Sequence, residues 1–320
     1  MKTPALFLLI VLPVLSACVS GGATSAEEYF SLGMAYFDQG KYEEAERWLN
    51  RARMMDKTRV ASEYNLGRIA YETGRYGDAV RHFERVLAKD QANVLALKAA
   101  AYSRIKIGDI RGAEGLYEKA LALEPESADQ GYNYALVLMA LEKPEKAEEV
   151  LLRYKIVMVE NKNALLLLAR SQKAQNKVEA VDTYSEWLQG NNSDAKVRYE
   201  YAQVLEAAEF FARALEEYRA VITALPQGQS TDPAAPARTD VRVAAARLLL
   251  IADPEKNDGI TELEMAVTEG LTDTEKLTAL LDESGISADH KDGIRKIIED
   301  IEKAKTATEV PESDETPAEE

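Results

Sequence analysis

The sequence predicts an all-α protein built as a solenoid of stacked helical hairpins, and three observations predict it. Six alanines, Ala45, Ala79, Ala113, Ala147, Ala180 and Ala214, recur at intervals of 34, 34, 34, 33 and 34 residues. Around each alanine the apolar residues follow helical rather than strand spacing. Each unit also breaks in the middle at a Gly or a polar turn, with Gly40, Gly74 and Gly108 standing where a helix C-terminus needs a left-handed residue. A hairpin of this size cannot bury its own apolar stripe, so its neighbours must cover it, and an array stabilised by adjacent contacts results.

The first unit carries Tyr29, Leu32, Gly33 and Tyr36, then Ala45 and Leu49. The second repeats it with Leu66, Gly67, Gly74, Tyr76, Ala79 and Phe83, and the third with Gly108, Ala113, Tyr117, Ala120 and a closing Pro125. The fourth keeps Ala135, Ala147 and Leu151; its turn is Glu142, Lys143 and Pro144, where the first turn of a helix tolerates a missing donor. The fifth keeps Ala180 and Tyr184, and the sixth Ala202, Ala214, Tyr218 and Pro226. In the fifth unit Leu168 is read at the place of the small residue of the first helix, and the interval to Ala180 is one residue short. Small residues at these places let two helices approach closely; a larger side chain would overpack the contact at about 1–3 kcal/mol.

Over residues 27–226 this pattern resembles the tetratricopeptide-repeat (TPR) family, whose units read W-x2-L-G-x2-Y followed by A-x3-F. The resemblance implies a right-handed TPR solenoid of six helix-turn-helix repeats. A segment rich in Gly, Ser, Pro and Ala, residues 227–239, reads as a linker. Residues 240–305 read as a helical C-terminal region. Stretches at 241–252 and 259–269 resemble a degenerate seventh repeat, and helices near 274–282 and 288–303 act as a cap, the last with Ile294, Ile297, Ile298 and Ile301 on one face. Residues 306–320 are acidic, contain Pro311 and Pro317, and are expected to be a disordered tail.

The N-terminus points to a location. Met1 and Lys2 precede an apolar run of about 11 residues from Ala5 to Leu15, too short for a bilayer span of roughly 20. The sequence Leu15, Ser16, Ala17, Cys18 resembles the lipobox of bacterial lipoproteins. That resemblance implies a signal peptide at 1–17, cleavage after Ala17, a diacylglycerol on Cys18, and a short tether at 18–26. Each buried CH₂ contributes about 0.8 kcal/mol, so two or three acyl chains anchor firmly. The expected location is the bacterial cell envelope facing the periplasm, and Val19 in place of an Asp points to the outer membrane. Cys18 is the single cysteine, which excludes a disulfide framework and a cysteine metal site.

Other chemistry finds little support. The net charge is −16, without clustered Lys and Arg, so nucleic acid is not an expected partner. His82, at a position usually facing outward, and His290, in the terminal helix, are far apart, and neither sits in a metal-ligand pattern. Asp253, Glu255, Asn257, Asp258, Gly259, Ile260 and Glu264 mimic a calcium loop, but Gly259 comes one place late. The segment therefore reads as a turn between helices, with Asn257 or Asp258 as N-cap. No metal, cofactor or catalytic motif is expected, and the protein is not expected to be an enzyme.

The TPR resemblance implies a concave groove lined by set positions of each first helix. These fall on Phe30, Met34 and Phe37, then Tyr64, Arg68 and Tyr71, then Lys98, Tyr102 and Ile105, then Tyr132, Leu136 and Met139, with Leu165, Gln172, Tyr199 and Gln203 further on. Rigid rings give contact area at low entropy cost, and Arg68 or Lys98 can orient a bound chain. Groove candidates are thus Phe30, Met34, Phe37, Tyr64, Arg68, Tyr71, Lys98, Tyr102, Tyr132 and Tyr199. Phe30 and Met34 stand where chaperone-binding TPR domains place Lys and Asn, although Asn65 and Asn133 recur later. Carboxylate capture is therefore not the expected mode. The implied function is a membrane-tethered scaffold that holds a protein or peptide in this groove and assists assembly of an envelope complex. In architecture it resembles pilotin-like TPR lipoproteins; the alternative is similarity to TPR accessory lipoproteins of TRAP-type solute uptake, contacting a periplasmic binding protein or a small ligand.

Overall fold

The computed structural model describes residues 25–154, 161–189, 194–227, 233, 235–253 and 255–309. Cys18, the signal peptide, most of the tether, part of the linker and residues 310–320 lie outside the described residues. The described residues form sixteen α-helices and no strand. They divide into two compact units, meeting in sequence at Ser127 and Ala128.

The first unit holds three hairpins: α1 (Ala26–Asp38) with α2 (Tyr42–Met55), α3 (Val60–Glu72) with α4 (Tyr76–Lys89), and α5 (Val94–Lys106) with α6 (Ile110–Leu123). Local chemistry starts the helices where the repeat demands. Ser25 and Glu28 form a reciprocal capping box on α1, and Asn93 accepts from the Ala96 amide at the head of α5. The close approach inferred from the small residues is present. A Cβ on Gly67 would lie 2.7 Å from the Phe83 ring of α4, which is itself fully enclosed.

The second unit continues with α7 (Ala128–Ala140), α8 (Pro144–Arg153), α9 (Lys162–Ala174), α10 (Glu179–Gln189), α11 (Ala195–Ala207) and α12 (Phe211–Ala224). A seventh hairpin comes next, α13 (Arg238–Ala252) with α14 (Asp258–Thr268), then α15 (Glu275–Leu281) and α16 (Ala288–Glu309). Within this unit Ile294, Ile297 and Ile301 of α16 join Leu263 of α14 and Leu277 of α15 in one core, so the terminal helices cover the last hairpin. Ile298 is only partly buried there. Helix α13 starts two residues before 240 and α16 runs on to Glu309.

All six alanines of the period have no exposed surface. The left-handed turn residue recurs with them at Gly40, Gly74 and Gly108, and continues at Glu142, Asn176 and Glu209, with φ between 55° and 81°. The last three carry a Cβ, so the turn geometry outlasts the glycine that favours it.

The fifth repeat corrects the sequence reading. Ala169, 34 residues after Ala135 and 33 before Ala202, is the small residue of α9 and is fully buried. Leu168 is its neighbour and not its replacement. The missing residue lies instead between Asn176 and Ala180, at the entry to α10.

Candidate functional site

The groove candidates of the first unit form a continuous, half-buried stripe on α1, α3 and α5. Phe30 carries the Arg59 guanidinium over its ring at 4.4 Å, and Arg59 pairs with Glu27. Met34 packs on the core formed by Ala45, Leu49 and Leu66. Phe37 of α1 lies under the Arg68 guanidinium of α3 at 4.4 Å, and Arg68 also donates to Asn65 Oδ1 at 3.0 Å. Arg68 is thereby held flat between a ring and an amide while part of its donor edge is left for something else.

From Arg68 the surface opens into a cavity of about 350 Å3 lined by Tyr64, Arg68, Tyr71, Lys98 and Tyr102, with Phe83 at its base. Tyr64 leans on Phe83 with centroids 5.5 Å apart. Tyr71 meets Tyr76 edge-on at 5.2 Å and Tyr102 at 6.4 Å. Burial, reinforced by those two phenols, raises the Tyr71 hydroxyl above the usual tyrosine range, so at neutral pH it stays protonated and able to donate. Tyr102 is 46% exposed and Leu95 on the rim 62%, so the aromatic wall faces solvent. The structure thus brings five of the ten candidates around one concavity, with Phe30, Met34 and Phe37 extending it along α1. Leu95 and Phe83 were not among the candidates; neither falls at the periodic positions used to choose them.

Asn65 does not offer a carboxylate clamp. It is buried, donating to the Ala61 carbonyl and accepting from Arg68.

In the second unit, described by itself, Tyr132, Leu136 and Met139 form a row on α7, half-buried to exposed, and Tyr199 of α11 packs against Tyr218 at 5.8 Å. Between them the fifth repeat departs from expectation. Since the missing residue lies after α9, the equivalent positions are Leu166, Arg170 and Lys173, and Leu165 and Gln172 are displaced by one. Gln172 is buried, donating to Glu148 of α8 and accepting from Thr183 of α10. Arg170 makes a two-pronged pair with Glu200 of α11 at 2.9 and 3.0 Å, while Lys173 donates to Gln203 at 2.6 Å. Burial lowers the Lys173 ammonium below its ordinary value. This section of the stripe is polar and internally paired, unlike the aromatic wall of the first unit.

The two histidines are structural. His82 is not outward-facing: its side chain is 17% exposed and its Nδ1 lies 2.8 Å from Glu63, which also receives Arg85 at 2.9 Å. His290 is buried with Nε2 3.0 Å from the Lys256 carbonyl. Among the described residues no group of His, Cys, Asp and Glu has the placement to hold a metal ion. In the calcium-like segment Asp253 accepts from the Glu255 amide and pairs with Lys256, and Gly259 packs on Leu250 in the first turn of α14, whose N-cap is Asn257.

Comparison with known proteins agrees with this architecture. Family models for the tetratricopeptide repeat match residues 25–92 and 98–163. An uncharacterized lipoprotein of Treponema pallidum (strain Nichols) is 27% identical over 164 residues, 51% of this chain and 84% of that protein. A tetratricopeptide repeat protein from Parabacteroides merdae superposes with a TM-score of 0.51 at 18% identity, covering 87% of this chain and 98% of its own. YrrB, a TPR protein with an unusual peptide-binding site, gives 0.52 at 20% identity, covering 56% and 92%. At such identities the structural likeness is one of fold.

Proposed function

This chain is a tetratricopeptide-repeat protein, and we propose that it is a lipid-tethered scaffold that holds a partner protein or peptide on the aromatic stripe of its first unit. The observation that carries this reading is the exposed concavity of Tyr64, Tyr71 and Tyr102 flanked by Arg68 and Lys98. Rings held rigid by their neighbours lose little entropy on contact, and two cations fix the direction of a bound chain through its carbonyls. One protein of this fold, YrrB, has a peptide-binding site, and we extend that use to this stripe.

The tether is Cys18, joined to a diacylglycerol and then made the first residue by cleavage after Ala17. The lipobox residues support it, as does the name of the Treponema relative. No helix among the described residues is long and apolar enough to cross a membrane. In this reading the protein does no chemistry of its own and assists assembly of an envelope complex, on the periplasmic side of the outer membrane.

Affinity capture from detergent-solubilised envelopes tests the reading, comparing the native chain with a Tyr64→Ala, Tyr71→Ala, Tyr102→Ala variant of unchanged helical content. Selective loss of a co-purifying protein is expected, and identical partner sets would remove the proposal. The alternative role, as an accessory to TRAP-type solute uptake, would instead show as a melting temperature raised by a small solute alone.

A further inference from the structure

Among the described residues no hairpin precedes the first, and the face it would turn toward one is open. Leu32 of α1 is 38% exposed, whereas Leu66, Tyr134, Leu168 and Tyr201, at the same place of later first helices, are 2–7% exposed. An open apolar end is a liability in a repeat array and is usually covered by a polar cap. This face carries no such cap among the described residues.

Its chemistry is specific. Tyr29 of α1 and Trp48 of α2 stack with centroids 5.6 Å apart and planes at 17°, and the Arg51 guanidinium lies over both rings at 5.5 and 5.4 Å. Trp48, Arg51 and Met55 succeed one another along a single row of α2, and Met55 is 54% exposed. At the edge Lys41 sits 5.8 Å from the Tyr36 ring. Arg47 pairs loosely with Glu44 at 3.7 Å, and Glu28 is occupied by the capping box. Three cations thus stand on or beside this face in a chain whose net charge is −16.

We infer that this end face of the array rests on the lipid surface, with Trp48, Tyr29 and Met55 at headgroup depth and Lys41, Arg47 and Arg51 on anionic headgroup phosphates. The inference rests on the reading of Cys18 as the acylated residue. Six residues separate Cys18 from Ser25, seven steps along the chain and a reach of at most about 25 Å. The capping box fixes where the chain enters α1, and Tyr29 comes one turn later, roughly 6 Å along the axis. A tether that short keeps the open face beside the bilayer. Amphipathic rings and long basic side chains are the groups that partition into the headgroup layer. The same arrangement would hold the first hairpin still while leaving the stripe on α3 and α5 to the periplasm.

The two tryptophans of the chain make this testable. Trp187 is buried and donates to the Lys162 carbonyl, so a Trp187→Phe variant of the full chain leaves Trp48 as the only reporter. The protein, extracted with its lipid, is reconstituted into vesicles of phosphatidylethanolamine and phosphatidylglycerol with brominated acyl chains, and flotation and emission are read together. Flotation with strong loss of Trp48 emission, reduced when Arg47→Glu and Arg51→Glu are added, is the expected result. Flotation with Trp48 unquenched by lipid but open to aqueous acrylamide overturns the inference and leaves the anchor standing. Trp48 shielded from both quenchers, with two copies cross-linking through this face, overturns it in favour of a dimer. Failure to float, as a Cys18→Ser control should fail, removes the anchor and the inference with it.

Discussion

Ala180 donates its amide to the Lys177 carbonyl three residues back, at 3.2 Å, where Ala45, Ala79, Ala113, Ala147 and Ala214 donate to the carbonyl four residues back. Val181 repeats the tighter step to Val178 at 3.0 Å. A 3₁₀ turn at a helix entry shortens the chain path by one residue without displacing the rest of the helix. Ala180 therefore stays as enclosed as its counterparts despite the missing residue. Inserting one alanine between Lys177 and Val178 should restore the α-helical step and leave the urea midpoint nearly unchanged. The same insertion after Tyr184 should rotate Trp187 and Leu188 out of the core and lower the midpoint sharply.

The site of that deletion also marks where the sequence stopped being legible. An alanine every 34 residues defines the repeat, the hairpins and the buried contacts, but a single short interval does not say on which side of the turn the residue is missing. Four consecutive leucines, Leu165 to Leu168, hid Ala169 among positions that all look like core. Placing the gap in α9 shifted its groove positions by one and hid Arg170 and Lys173. The turn at Glu142 was legible from Pro144, but the left-handed backbone at Glu142 and Glu209 was not, since the tertiary fold imposes a positive φ there on glutamates with no preference for it. Phe30 through Tyr102 could be read directly because no residue is lost within the first three units.

Gly67 carries the tightest helix contact of the first unit's stripe. A Gly67→Ala variant places a methyl 2.7 Å from Phe83, a buried ring with Tyr64 leaning on it. Overpacking should lower stability by about 1–3 kcal/mol, despite the helix propensity that alanine adds. Urea denaturation checks this, and a midpoint at or above that of the native chain would contradict the packing described.

Glu63 and His82 make stability fall with acid in two stages. Burial pushes both groups toward their neutral forms. For Glu63 the hydrogen bonds from Arg85 and His82 outweigh burial and hold the carboxyl below its ordinary 4.5, while for His82 burial wins and holds the imidazole below 6.5. Both folded values lie under the unfolded ones, so each contribution is complete above the unfolded value and is lost as pH falls through the folded one. Urea midpoints should begin to drop below pH 6.5 and drop further below 4.5. Glu63→Gln should cost about 1–3 kcal/mol at neutral pH and weaken the second stage; an unchanged acid profile would count against it.

Arg242 ties α13 to α14. It meets Glu269 with two hydrogen bonds at 2.8 and 2.9 Å and reaches Glu262, and Arg238 adds a third contact to Glu269 at 3.1 Å. Arg242→Met leaves carboxylates with little exposure and one cation fewer, and should cost about 3 kcal/mol. Because the loss is confined to the last hairpin and its cap, hydrogen exchange should rise in α13 to α16 and stay unchanged in α1 to α6. Uniform loss of protection across the chain would contradict a nearest-neighbour array.

The central claim is that a partner lies on the aromatic stripe of the first unit, and photo-crosslinking in living cells tests it most directly. Tyr102 on the stripe and Leu123 at the end of α6 are both 46% exposed, so a benzophenone amino acid should be tolerated equally at either place. The expected result is a discrete adduct from position 102 and none from 123. Adducts from both, or from neither, would contradict the account.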